Sequence, residues 1–136
     1  MTLIMIDIDH FKNINDTHGH LVGDKVLTEV ARRLSAAVRD FDSLGRYGGE
    51  EFLVVLKGTP LSTALTVAER VRTHIAAGPI SLHGLKVNVT ISIGVSVIQP
   101  GDSIEEFIKR ADKALYKAKS AGRNRVSSAN LLQSAS

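Results

Sequence analysis

The 136-residue chain contains no cysteine. That absence excludes disulfides and thiolate metal sites, and it accords with a reducing, cytoplasmic setting. Long hydrophobic runs are missing too: no apolar stretch approaches the ~20 residues a membrane-spanning helix needs. The apolar opening is interrupted by Asp7 and Asp9 and has no basic flank, so it does not read as a signal peptide. Aromatic residues are scarce where charge is densest. Lys109, Arg110, Lys113, Lys117, Lys119, Arg123 and Arg125 crowd the C-terminal fifth with Tyr116 as the lone aromatic among them. A nucleic-acid surface wants rings to stack bases, so nucleic acid is disfavoured as a partner. A solvated helix face explains such a cluster, and a compact polyanion remains open. Internal repeats and linkers are absent as well. With 43% hydrophobic residues and a net charge of +3, the chain reads as one globular domain with material for a core.

Strand and helix signals alternate along it. Residues 2–8 form an apolar, β-branched run suited to a buried central strand. Residues 11–15 suggest a short helix followed by a polar loop, and from about His20 the spacing of Val26, Leu27, Val30, Leu34 and Val38 predicts a long one. Residues 43–47 and 51–56 flank a glycine pair as a hairpin. Pro60 opens a helix carrying Ala64, Ala68, Val71 and Ile75 on one stripe. Alternation from Leu85 to Val97 predicts one long strand with one face buried, and a partner strand before His83-Gly84 would make a second hairpin. Ser103 and Glu106 match a capping box for the last helix, which stops at Gly122. Arg125-Val126 suggests a final edge strand. The domain is expected over 1–126, with a frayed tail over 127–136. The fold class is α/β (α+β), with hairpins feeding a central sheet covered by helices.

The most informative stretch is Arg-Tyr-Gly-Gly-Glu-Glu-Phe at 46–52. Adjacent glycines between strand-like segments signal a tight turn, because both can take φ > 0. The same glycines let another group approach the backbone, and carboxylates just past them suit a hard divalent cation. An ordinary hairpin with solvated glutamates fits the bare tetrapeptide equally well. Asp7, near the C-terminal end of the first strand, could share a metal with Glu50 if the two segments are neighbours.

Five ordered blocks make a resemblance specific. They are Asp-Ile-Asp-His-Phe-Lys at 7–12, Asn-Asp-Thr-His-Gly-His at 15–20 with Gly23-Asp24, the 46–52 stretch, Thr-Ile-Ser-Ile-Gly at 90–94, and Ala-Asp-Lys-Ala-Leu-Tyr at 111–116 running to Lys119 and Gly-Arg-Asn-Arg at 122–125. In order and spacing the chain resembles the GGDEF family, the catalytic domains of bacterial diguanylate cyclases. The resemblance implies a mostly antiparallel sheet of about five strands, nucleotidyl-cyclase and polymerase-palm-like, with a ferredoxin-like βαββαβ core. It also implies a reaction, two GTP becoming cyclic di-3′,5′-guanylate (c-di-GMP) plus two pyrophosphates, at the two-fold interface of a homodimer.

Carried over by position, the resemblance makes Asp7, Glu50 and the Ile8 carbonyl ligands of Mg2+, with Mn2+ as the alternative. Glu50 doubles as proton acceptor for the attacking 3′-hydroxyl, and Glu51, the neighbouring acid, assists metal or phosphate geometry. Gly48 and Gly49 admit the substrate, and the main-chain amides of Phe11 and Lys12 cradle its terminal phosphates. Asn15 and Asp24 read guanine, His20 lines the pocket, and Lys119 with Arg123, on one face of the last helix, neutralise phosphates. Arg39 and Asp42 match the family's inhibitory product site, with Arg70 as an added contact. Position 18 is His where the family usually has an aromatic residue. The first core strand opens the sequence, so the domain reads as lacking the family's N-terminal helix and wide turn. An upstream sensory or dimerising domain is implied, and turnover in isolation is expected to be weak. The alternative is a non-catalytic module that binds GTP or c-di-GMP.

Overall fold

The computed structural model describes residues 1–38 and 43–129. Its elements run β1 (Thr2–Ile8), α1 (Phe11–His18), α2 (His20–Ala37), β2 (Ser43–Arg46), β3 (Glu51–Leu56), α3 (Leu61–Ala76), β4 (Ile80–Leu82), β5 (Leu85–Val87), β6 (Ile91–Val97), α4 (Ile104–Ser120) and β7 (Val126–Ser128). The five-stranded sheet has the order β2-β3-β1-β6-β7, and β4-β5 is a separate hairpin. All pairings in the main sheet are antiparallel except β6 with β7. Strands β1, β2, β3 and β6 with the intervening helices form the expected ferredoxin-like core. Among the described residues, no helix is long and apolar enough to cross a membrane.

β1 is the central strand and is buried throughout. Its period of two divides it between two cores. Ile4, Ile6 and Ile8 pack beneath α1, α2 and α3, whereas Leu3 and Met5 pack with Phe107, Ala111 and Leu115 of α4. Fully burying each isoleucine favours folding by about 2–3 kcal/mol. The site therefore grows from the most constrained strand in the molecule. α4 begins on the predicted capping box: Ser103 Oγ accepts from the Glu106 N–H, and the Glu106 carboxylate accepts from the Ser103 N–H.

Several expectations need correction. α1 continues to His18 through the stretch read as a loop, because Ile14 anchors it to the core. The long strand from Leu85 to Val97 is two strands: β5 pairs with β4, residues 88–90 belong to neither strand, and β6 begins at Ile91. The alternation runs unbroken across the gap because Val87 and Val89 both enter the core. Alternation reports burial, and pairing is a separate matter. Nor is only one face of β6 buried. Ser92, Gly94 and Ser96 on its second face lie under α4 and Asp9, with both hydroxyls hydrogen-bonded. The final edge strand exists and runs to Ser128, two residues beyond the expected boundary.

Candidate active site

The C-terminal end of β1 and the start of β3 are antiparallel neighbours, which puts Asp7 opposite Glu51. The Ile8 N–H donates to the Glu50 carbonyl at 3.3 Å, tying the glycine loop to the end of the central strand. Asp7, Glu50 and Glu51 are thus brought together as expected. The loop between β2 and β3 spans residues 47–50, and neither Gly48 nor Gly49 has positive φ. The tight-turn rationale for the glycines therefore fails. The loop closes differently: the Tyr47 N–H donates to the Glu51 carbonyl at 2.8 Å, and the Arg46 guanidinium holds the carbonyls of Gly48 and Gly49. A Cβ on Gly49 would meet nothing within 4 Å, and one on Gly48 would meet only the Glu51 carboxylate, at 3.4 Å. Nothing within the described residues requires these two positions to be bare.

Asp7 is buried to 5% exposure, and its Oδ2 is paired with the Lys119 ammonium from α4. Burial pushes the Asp7 carboxyl above the ordinary carboxylate range; the Lys119 hydrogen bond and charge oppose the shift, while Glu50 and Asp9 add to it. Glu51 is raised by burial and by the charges of Asp7, Asp112 and Glu50, again with Lys119 opposing. Several acids thus share one ammonium group. Lys119 meets a carboxylate here, whereas the resemblance assigns it to phosphates; an ammonium on a flexible stem suits either partner.

Asn15 sits on α1 against Gly23 of α2, where a Cβ would lie 1.8 Å from Asn15 Oδ1. Gly23 thus makes room for the Asn15 side chain, and the next residue, Asp24, is exposed on α2. Asp24 also lines a cleft of about 340 Å3 with Leu27, Thr28, Ala31, Arg46 and Phe52. Among the described residues, the buried side-chain oxygens and nitrogens without a partner are Asp7 Oδ1 and Asn15 Oδ1. Buried polar atoms are ordinarily satisfied, so an orphan calls for a partner such as water, an ion or a ligand group. Both orphans fall on residues picked from the sequence.

Phe11 and Lys12 lie in the first turn of α1, after His10 in a left-handed conformation at φ 57°. A helix start leaves its first amides without intrahelical acceptors. His20 is exposed at the first position of α2, with no hydrogen bond from its ring. Arg123 does not share a helical face with Lys119. α4 ends at Ser120, Gly122 turns the chain at φ 125°, and Arg123 follows at φ 64°. Arg70 donates to the Ala37 carbonyl at 2.9 Å, at the end of α2. Arg39 and Asp42 lie outside the described residues.

Two residues gain roles that the sequence reading did not assign. Arg46 braces the glycine loop, and its offset of two to three residues from the glycine carbonyls was the available signal. Asp112 adds negative charge near Glu51 from α4; its position seven residues before Lys119 places both on one helical face.

The donor set fits a hard cation. Among the described residues, no three His, Asp, Glu or Cys side chains form a ready metal cluster. Mg2+ usually takes one or two carboxylates and completes its shell with waters and substrate oxygens. Asp7 with an orphaned oxygen, beside acids that repel one another, is such a partial set.

Comparisons with known proteins agree. Residues 1–125 match the family described as "Diguanylate cyclase, GGDEF domain". The chain is 52% identical over 127 residues to diguanylate cyclase A of Treponema denticola, covering 93% of this chain and 34% of that protein. It is 51% identical over 129 residues to the response regulator PleD of Caulobacter vibrioides, covering 93% and 28%. The chain thus spans about a third of the length of these relatives. Among solved structures, the GGDEF domain of DgcB from Caulobacter crescentus in complex with c-di-GMP superposes with a TM-score of 0.91 at 36% identity, covering 95% of this chain and 77% of that one. The diguanylate cyclase SiaD of Pseudomonas aeruginosa in complex with its activator SiaC gives 0.90 at 41% identity, covering 94% and 49%. With the catalytic blocks, the ferredoxin-like sheet and the match over residues 1–125 all in agreement, this chain belongs to the GGDEF domain family of diguanylate cyclases.

Proposed function

We propose that the chain is a diguanylate cyclase domain that condenses two GTP into c-di-GMP and two pyrophosphates between two copies of itself. The observation that carries this reading is the pair of orphaned buried oxygens. Asp7 and Asn15, to which this reading gives the cation and the base, each carry a buried oxygen, Oδ1, with no partner. The relatives named diguanylate cyclases support the reaction, and the DgcB complex with c-di-GMP supports product binding.

Asp7, Glu50 and the Ile8 carbonyl are the residues that would hold Mg2+, or Mn2+ in its place. When bound, the cation supplies charge neutralisation for the phosphate oxygens. The remaining work is positioning. The Phe11 and Lys12 amides receive the terminal phosphates at the start of α1. Lys119 releases Asp7 and joins Arg123 on the phosphates. Asp24 accepts from guanine N1–H and the exocyclic amine, a donor pair that adenine lacks, and Asn15 adds a further contact with His20 nearby. The 3′-oxygen held by one copy bonds to the α-phosphorus held by the other as the bond to pyrophosphate breaks. The hydroxyl proton leaves to a carboxylate, Glu50 in the family assignment. Glu51, the neighbouring acid, assists the geometry of the metal or the phosphates. Arg39, Asp42 and Arg70 are proposed to bind the product as an inhibitor. An upstream sensory or dimerising region and a cytoplasmic location belong to the same reading.

Incubation with GTP and Mg2+, followed by mass spectrometry, tests it. The expected product is c-di-GMP from GTP and none from ATP. GTP binding with no cyclic product, even in a chain fused to a dimerising segment, would instead favour a binding module. A second variant checks the glycines. Gly49→Ala should leave stability within ~0.5 kcal/mol, since the new methyl meets no neighbour. It should weaken GTP binding about tenfold by filling the ligand's approach. Unchanged GTP affinity would remove Gly49 from the site.

A further inference from the structure

Asp9 follows β1 and precedes the left-handed His10 that opens α1. It is as buried as Asp7, at 5% exposure, yet its oxygens are fully engaged. Oδ1 accepts from Ser92 Oγ at 2.6 Å. Oδ2 accepts from Thr90 Oγ1 at 2.7 Å and from the Asn124 backbone N–H at 2.9 Å. The first two partners lie on β6 (Ser92) and just before it (Thr90). The third bond crosses to the turn beyond α4.

That turn is unusual. Gly122, Arg123 and Asn124 have φ of 125°, 64° and 47°, so two successive non-glycine residues are left-handed. L-residues seldom hold that conformation without outside support. The helix end supplies part of that support, with the Gly122 N–H donating to the Lys119 carbonyl at 3.3 Å and the Arg123 N–H to the Ala118 carbonyl at 3.0 Å, and two side chains hold Asn124. Asp9 holds the Asn124 N–H, and Arg72 of α3 donates to Asn124 Oδ1 at 2.8 Å while its own guanidinium is fixed on Glu69. Arg123 immediately precedes this doubly held residue, with its side chain exposed, just past the helix end whose Lys119 rests on Asp7.

We propose that Asp9 is a positioning residue: together with Arg72 it locks the 122–124 turn and so aims Arg123 at the triphosphate. The proposal rests on Arg123 being a phosphate ligand, as argued above. It assigns the second acid of the Asp-Ile-Asp block a task distinct from metal binding. It also couples the start of α1, where the terminal phosphates are received, to the end of α4, which supplies cationic charge.

The test uses the whole chain with Mg2+ and two ligands: 3′-deoxy-GTP, which lacks the attacking hydroxyl and cannot react, and GMP, which lacks the outer phosphates. Calorimetry should show Asp9→Asn weakening 3′-deoxy-GTP about tenfold while GMP affinity stays within about twofold. Arg123→Ala should do the same, and the double variant should bind no more weakly than Arg123→Ala alone, because Asp9 acts through that side chain. Ser92→Ala leaves the Oδ2 bond to Asn124 in place and should keep 3′-deoxy-GTP affinity within about twofold. Arg72→Met removes the other anchor and should weaken 3′-deoxy-GTP about threefold. Equal weakening of both ligands by Asp9→Asn would reduce Asp9 to a structural role, and full additivity with Arg123→Ala would overturn the proposal. If Asp9→Asn does not fold, unchanged 3′-deoxy-GTP affinity in Arg72→Met overturns it instead. If Arg123→Ala itself binds 3′-deoxy-GTP normally, the phosphate reading of Arg123 fails first, and the proposal falls with it.

Discussion

Asp7→Asn is expected to lower c-di-GMP formation by at least ~10³-fold while the protein melts no lower than wild type. The amide keeps the shape of the side chain and can still accept from Lys119, but it removes the anionic charge that a divalent cation requires. The stability half of the prediction follows from the sign of the shift. Asp7 has its folded-state carboxyl raised, chiefly by burial. The folded chain thus holds this proton more tightly than the unfolded chain does. Stability from this group is fully present below the unfolded value and is lost as pH rises through the folded value. At neutral pH the ionised Asp7 is a cost, and Asn removes it. Glu29, lowered to about 2 by Arg32 and Arg33, works in the opposite sense: its contribution is present above the unfolded value and is lost as pH falls toward 2. Thermal melts at pH 7 together with product assays check both halves. Retained turnover would remove Asp7 from the metal site, and a much lower melting temperature would make it a fold residue.

Gly94→Val should destabilise the protein by about 3 kcal/mol or more, enough to lower the melting temperature by roughly 10 °C. A Cβ at this position of β6 would lie 2.3 Å from the Ala111 carbonyl oxygen and from the Leu115 N, and 2.9 Å from the Leu115 Cα. These are backbone atoms of a helix whose apolar face is fixed by Phe107, Ala111 and Leu115, so no rotamer change relieves the clash. α4 must move away from the sheet as a body. Because it carries Asp112 and Lys119 and leads into the 122–124 turn, any folded fraction should also lose GTP affinity. A thermal unfolding curve coincident with wild type would contradict the close packing of α4 on β6.

What the sequence made legible tracks how local each signal is. The capping box at Ser103 and Glu106 is written in four consecutive residues, and its bonds are those expected. The stripe on α3 and the hairpin about His83-Gly84 were equally plain, because period and turn chemistry are short-range. The break between β5 and β6 was not, since Val87 and Val89 keep the alternation while the chain changes partner. The glycine loop shows the same limit. Its position and its acids are readable, but the tight-turn reason for the glycines does not hold, because φ depends on a loop closed by Arg46. Of the site, Asp7, Glu50 and Glu51 converge as expected, and Asn15 packs against Gly23, the residue before Asp24. The Lys119–Asp7 pair and the Asp9–Asn124 bond span 112 and 115 residues, and no sequence period encodes such contacts. Arg123 was placed on the wrong face because a helical period was extended past Gly122.

The central claim is that one chain carries half of a catalyst, with Asp7 and Asn15 awaiting a cation and a base and the second nucleotide supplied by another copy. The direct measurement is the rate of c-di-GMP formation from GTP and Mg2+ over a wide range of protein concentrations, with and without a fused dimerising segment. The account predicts that c-di-GMP forms, that specific activity rises with concentration for the chain alone, and that fusion makes it high and independent of concentration. A specific activity independent of concentration for monomeric chain, or no c-di-GMP from the fused protein, would contradict it.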